Sequence, residues 1–119
     1  MENITASEMA KYVRKHIRKL SPQLKQLKST SEVPAILQVI VSYMRELCLR
    51  KNFRYVKRLL VCVSNLYEKG DLLIKQNIEY LFMHCLARMD HLCSINQWNS
   101  IINQLPWNLR KVYIVQHIK

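Results

Sequence analysis

DLLIKQNIEYLFMHCLARMDHL, residues 71–92, is the stretch that decides the fold. It follows the only glycine of the chain, Gly70. Leu72, Leu73, Ile74, Ile78, Leu81, Phe82, Cys85, Leu86 and Met89 spread around most of a helical circumference. Lys75, Glu79 and Arg88 occupy the narrow remainder, and Asn77 and His84 interrupt the apolar face. A helix that is apolar nearly all round belongs inside a bundle. The expectation is an all-α fold: a compact bundle of five to seven helices, or stacked αα-hairpins, around a central apolar helix at 71–89.

Upstream of this stretch, Phe53, Val56, Leu59, Leu60, Val63, Leu66 and Tyr67 give a second helix its buried face, with Asn52 as its cap. It ends at Glu68-Lys69-Gly70-Asp71. Gly70 suits the left-handed position after a helix, and Asp71 caps the next one, which makes a tight αα-hairpin. Before that, a helix running from Pro34 to about Leu49 is apolar on a wide arc, with Thr30 or Ser31 as cap and Pro34 in its tolerant first turn. The first helix starts near Thr5 or Ser7, and Glu8 suits its positive end. Met9, Val13, Ile17 and Leu20 face inward, and Ser21-Pro22 then breaks it or starts another helix, with Pro22 at the first helical position.

Downstream, Ser94 caps a helix over 95–104 with Ile95, Trp98, Ile101, Ile102 and Leu105 inward. Pro106 opens a last helix in which Trp107, Ile114 and Ile118 share a face widened by Leu109, Val112, Tyr113 and Val115. Both tryptophans read as core.

The 119 residues suggest one domain over 1–119, large enough to bury a core without disulfides or metal. One glycine and three prolines are too few for the turns of a β-rich protein. Cys48, Cys62, Cys85 and Cys93 lie in or beside apolar helical patterns with no CxxC pair, so they read as reduced thiols in a cytoplasmic protein. The N-terminus lacks the pattern of a signal peptide, and no apolar run approaches the length of a membrane span.

Charge is the strongest functional signal. Nineteen Lys and Arg stand against eight Asp and Glu, a net +11. Residues 1–58 hold 13 basic and 4 acidic groups, net +9, while residues 59–119 hold 6 and 4, net +2. Lys11, Arg14, Lys15, Arg18 and Lys19 lie on the other face of the first helix and, at about 100° per residue, form a continuous basic stripe. Arg50, Lys51, Arg54, Lys57 and Arg58 form a second stripe on the helix from 53. If the two are neighbours, they make a ten-cation surface for an anionic partner. Tyr12 and Tyr55 sit beside the stripes, where rim packing is the commoner role and base stacking the functional one.

Catalytic and metal chemistry find no pattern. His84, Cys85, His91 and Cys93 are ligand types, but adjacent helical residues point about 100° apart and His84 lies two turns, roughly 10 Å, from His91. No Cys–His pair is placed for nucleophilic activation, the acids are scattered, and one glycine cannot make a phosphate loop. The expectation is no catalytic residue, no metal and no cofactor. The first helix lacks Trp and Phe and needs its apolar face for the core, so it is a poor membrane-surface helix.

The motifs LYEKGD at 66–71, KQNIEYLFMHCLARM at 75–89 and LPWNLRKVYIVQHI at 105–118 carry a resemblance over roughly the last 55 residues. They resemble a family of small bacterial all-helical domains of unknown function. Its Gly-Asp turn leads into an apolar helix, and its Leu-Pro turn opens a final helix with Tyr and Gln, here Tyr113 and Gln116. The resemblance implies a non-enzymatic, immunity-like or accessory protein that binds another protein. Sequence-independent nucleic-acid binding through the basic helix faces is the alternative, and homodimerisation is compatible with either.

Overall fold

The computed structural model describes residues 3–27 and 32–117. Its helices are α1 (Ala6–His16), a short α2 (Ser21–Lys25), α3 (Val33–Leu49), α4 (Phe53–Lys69), α5 (Leu72–Asn77), α6 (Met83–Ala87), α7 (Ile95–Asn103) and α8 (Trp107–His117). A π-helical turn (Ile78–Phe82) joins α5 to α6, and a 3-10 turn (Arg88–Leu92) extends α6, so 72–92 is one nearly continuous helical run. Counted once, it makes seven helices among the described residues. The thin axis of the molecule is 21 Å, about two helix diameters.

The architecture is a compact all-α bundle, as the apolar patterning requires. α3 packs against α1, α2, α4 and the 72–92 run, so it shares the centre with the helix expected there. Ile36, Leu37, Ile40 and Met44 of α3 meet Ile74, Ile78, Phe82 and Met83 in one connected core. The 72–92 run is less apolar-buried than its composition suggests. Leu72 is 69% exposed, and Leu73 and Tyr80 also face solvent.

The hairpin turns reverse an expectation. Gly70 is extended, at φ −73° and ψ 158°, and not left-handed. It is glycine for space: a Cβ there would sit 2.3 Å from the Leu66 carbonyl oxygen and 2.6 Å from the Ile74 side chain. Ile4 crosses this turn as a one-residue parallel bridge, its N–H donating to the Lys69 carbonyl at 2.6 Å and its own carbonyl accepting from Asp71 N–H at 2.8 Å. The left-handed residue is Lys51, at φ 59°, after α3. Its N–H donates to the Cys48 carbonyl and that of Asn52 to the Leu47 carbonyl, the paired bonds of a Schellman turn. Asn52 precedes α4 as expected, but its side chain makes no capping bond.

Asp71 caps two helices. One carboxylate oxygen accepts from Ile74 N–H at 3.0 Å, closing α5, and the other from Ala6 N–H at 3.1 Å, closing α1. At Thr5 the Glu8 carboxylate accepts from both the backbone N–H and the hydroxyl. Ser94 and Gln97 exchange side-chain-to-backbone bonds at the start of α7. Glu32, not Thr30 or Ser31, directly precedes α3; those two lie outside the described residues.

Two faces turn out differently. Ile95 is 77% exposed, because the buried side of α7 is Trp98 and Ile101. In α8 the inward residues are Leu109, Val112 and Tyr113, while Trp107 (64% exposed), Ile114 and Val115 face out. Trp107 is therefore not core; the Lys111 ammonium lies 5.3 Å from its ring centre. Ile118 lies outside the described residues. α8 docks through Asn108, which accepts from Ser64 Oγ at 2.7 Å and donates to the Ser64 carbonyl at 2.9 Å.

Candidate anionic-partner surface

The first basic stripe is interrupted. α1 stops at His16, and Ile17 takes φ −125° and ψ 82°, outside the helical region. Pro22 supplies the reason. In an unbroken helix its ring would meet the Arg18 carbonyl; the break places it in the first turn of α2, where a missing N–H costs nothing. Arg18 and Lys19 accordingly ride on a 3-10 turn (Arg18–Leu20) and swing toward α4.

That break brings the two stripes together. A hollow of about 480 Å³ is lined by Lys15, Arg18 and Lys19 from one side and Arg58 of α4 from the other, over His16, Ile17, Tyr43 and Tyr55. A second, of about 350 Å³, shares His16, Ile17 and Arg58 with it and adds Arg54, Lys57, Val61, Cys62 and Asn65. A third, of about 460 Å³, shares Lys15 with the first and adds Lys11 and Arg14. Eight of the ten expected cations thus line one chain of adjoining hollows. The other two do not: Arg50 is paired with Glu46 at 2.7 Å, and Lys51 holds the turn after α3.

Among the described residues, no carboxylate lines any of the three hollows. None of the eight cations is ion-paired to a described acid, although Arg14 Nε donates to Ser21 Oγ at 3.2 Å. Tyr55 is taken up by the protein itself: Lys19 Nζ lies 4.9 Å and Arg58 Cζ 5.7 Å from its ring centre. Both cations therefore lie within cation–π reach of the same ring. Tyr12 stacks on His16 with ring centres 4.1 Å apart. His16 Nδ1 lies 2.9 Å from the Tyr12 carbonyl, which can only accept, so that nitrogen carries a proton. Burial, and then the neighbouring Cys62, push the Tyr12 phenol up, so it stays neutral. Tyr43 and Ile17 were not legible as site residues, since each reads as an ordinary member of an apolar arc.

Elsewhere, all four cysteines are free thiols; Cys48 and Cys62 are buried, and burial pushes each up to about 12. Tyr67 donates to the Glu79 carboxylate, and burial together with that bond raises the phenol to about 12. Among the described residues no group of three or more His, Cys, Asp or Glu is placed to hold a metal ion, and no helix is long and apolar enough to cross a membrane.

An all-α bundle with a cationic face defines the class structurally. The chain belongs to a family described as a domain of unknown function (DUF7674), matched over residues 10–119. The match takes in the basic helices of the first half and is not restricted to the last 55 residues. No curated protein and no solved structure matches the chain.

Proposed function

We propose that the protein is a non-enzymatic binding module that holds an acidic protein partner on the face between α1 and α4. The observation that carries this reading is the joining of eight cations from two chain segments with no described carboxylate among them. Gathering like charges is unfavourable unless a partner neutralises them. The hollows are sized for side chains, and each can take a carboxylate between basic groups. The module acts in the cytoplasm of a bacterial cell as an accessory or immunity-like factor; its free cysteines agree with a reducing compartment. Pairing of two copies through this face is opposed by its own charge.

The second reading is sequence-independent nucleic-acid binding, favoured by the same absence of acids. Against it stands Tyr55, whose ring Lys19 and Arg58 already approach, so a base would have to compete with two cations for it.

Fluorescence anisotropy decides between them, with labelled polyglutamate and labelled single- and double-stranded oligonucleotides at low and near-physiological salt. The acidic-protein reading expects polyglutamate to bind and the Lys15→Glu/Arg18→Glu/Arg54→Glu/Arg58→Glu variant to lose it. Duplex binding that falls with salt at a log–log slope of about −5, the value for six neutralised phosphates, and is lost in the same variant would put nucleic acid first.

A further inference from the structure

On the other flank of α4 lies a groove of about 270 Å³ against α7. Its floor is Val56, Leu60 and Ile101, all buried, with the half-buried Phe53 at one end. Exposed Ser100 stands on its α7 wall, and Lys57 stands on its α4 wall. Lys57 also lines the hollow that holds Arg54 and Arg58. At about 100° per residue, Arg54 and Arg58 fall on one side of Lys57, and Phe53, Val56 and Leu60 on the other. The apolar groove and the cationic face are therefore continuous across a single lysine.

Resting on the acidic-partner reading, we propose that the partner is an acidic peptide segment interrupted by one bulky apolar side chain. Its carboxylates meet Arg54, Lys57 and Arg58, and its apolar side chain enters the groove between α4 and α7. Charge and size both argue for this occupant. Among the described residues the groove carries no carboxylate, so none of them repels an acidic segment. A volume of roughly 150 Å³ suffices for a benzene ring, so one Phe or Leu fits with room for its backbone approach. Neighbouring helical positions lie about 5–6 Å apart, and an extended peptide advances about 3.3–3.6 Å per residue. The apolar residue thus sits within about two positions of a carboxylate.

The test is a set of labelled twelve-residue Glu/Ser peptides in which a single Phe is moved through every position, compared with the Phe-free parent by anisotropy. At the matching position Phe is expected to tighten binding by at least about tenfold, from burial of its ring. Ser100→Trp and, separately, Gln104→Trp fill the groove from its exposed wall; each should remove that gain while leaving the affinity of the parent unchanged. Arg54→Glu/Arg58→Glu should weaken parent and Phe peptides alike. If no Phe position improves on the parent, or the gain survives both tryptophan variants, the groove is not the anchor site and the proposal is overturned. If the parent itself fails to bind at low salt while a single-stranded oligonucleotide binds, the acidic-partner reading fails first, and the groove proposal falls with it.

Discussion

Asp71 has the largest structural task of any single residue here, because one carboxylate closes the N-termini of both α1 and α5. A helix cap contributes about 1 kcal/mol, so Asp71→Ala is expected to cost about 2 kcal/mol in urea unfolding. Asp71→Asn keeps one carbonyl acceptor and should lose about half of that. The neighbouring glycine works by a different mechanism. Gly70→Ala forces a methyl against the Leu66 carbonyl, an overpacking that costs about 1–3 kcal/mol. At Lys51 the sign reverses. A non-glycine residue in the left-handed region carries a penalty of about 1–2 kcal/mol, so Lys51→Gly should raise the free energy of unfolding by about 1 kcal/mol without touching the core. The Gly70 and Lys51 variants together separate glycine needed for space from glycine wanted for conformation. Only the second was expected from the sequence, and at the wrong residue.

Element by element, the helix starts were the legible part, because a cap is a local chemical signal. Ser94 with Gln97, Thr5 with Glu8, and Asp71 all begin helices where side-chain oxygens meet unpaired N–H groups. Faces were less legible where every side of a helix carries apolar residues. α8 has Trp107, Ile114 and Val115 on one side and Leu109, Val112 and Tyr113 on another, so periodicity alone does not choose between them. Both basic stripes could be read as separate stripes. Their meeting depends on the break at Ile17, a tertiary consequence of where Pro22 must sit. The π-helical turn at Ile78–Phe82 also left no sequence signal, but it shapes a testable cluster. Within it, the Glu79 carbonyl accepts from Gln116 Nε2 at 2.9 Å, and its carboxylate accepts from Tyr67. Gln116 Oε1 is buried and has no hydrogen-bond partner among the described residues. Gln116→Leu therefore loses a bond worth about 1 kcal/mol but relieves a stranded acceptor costing about 1–3 kcal/mol, and should leave stability between unchanged and about 2 kcal/mol higher than wild type. Tyr67→Phe relieves nothing and strips the Glu79 carboxylate of its donor, so it should be the more damaging of the two in the same unfolding assay.

For the molecule as a whole, proton and charge balance set the conditions under which it is stable and the surface at which it acts. Cys62 and Tyr67 are both raised to about 12 in the folded state, against ordinary values of 9.0 and 10.0. A raised acid holds its proton in the fold and releases it on unfolding. Their contribution is thus complete below pH 9 and is lost as pH climbs from there to about 12. Melting temperature should fall through that window, and Cys62→Ala should reduce the part of the fall that begins at pH 9, to which the buried Cys48 also contributes. Charge balance gives the sharper experiment. Eight cations line one run of hollows with no described carboxylate between them, so mutual repulsion opposes folding and salt should relieve it. Raising salt from low to physiological strength should therefore increase the melting temperature while weakening capture of polyglutamate. Replacing Arg58 by glutamate acts in the same two directions. Arg58 is exposed, lies between two of the hollows and shares the Tyr55 ring with Lys19, so the new carboxylate would face Lys19 and the other cations around it. The variant should melt higher than wild type and bind polyglutamate more weakly. A surface kept for a partner is expected to sit off its stability optimum in this way. If Arg58→Glu instead melts lower and binds as before, the cations are already neutralised within the fold, and the face between α1 and α4 is not where the protein meets its partner.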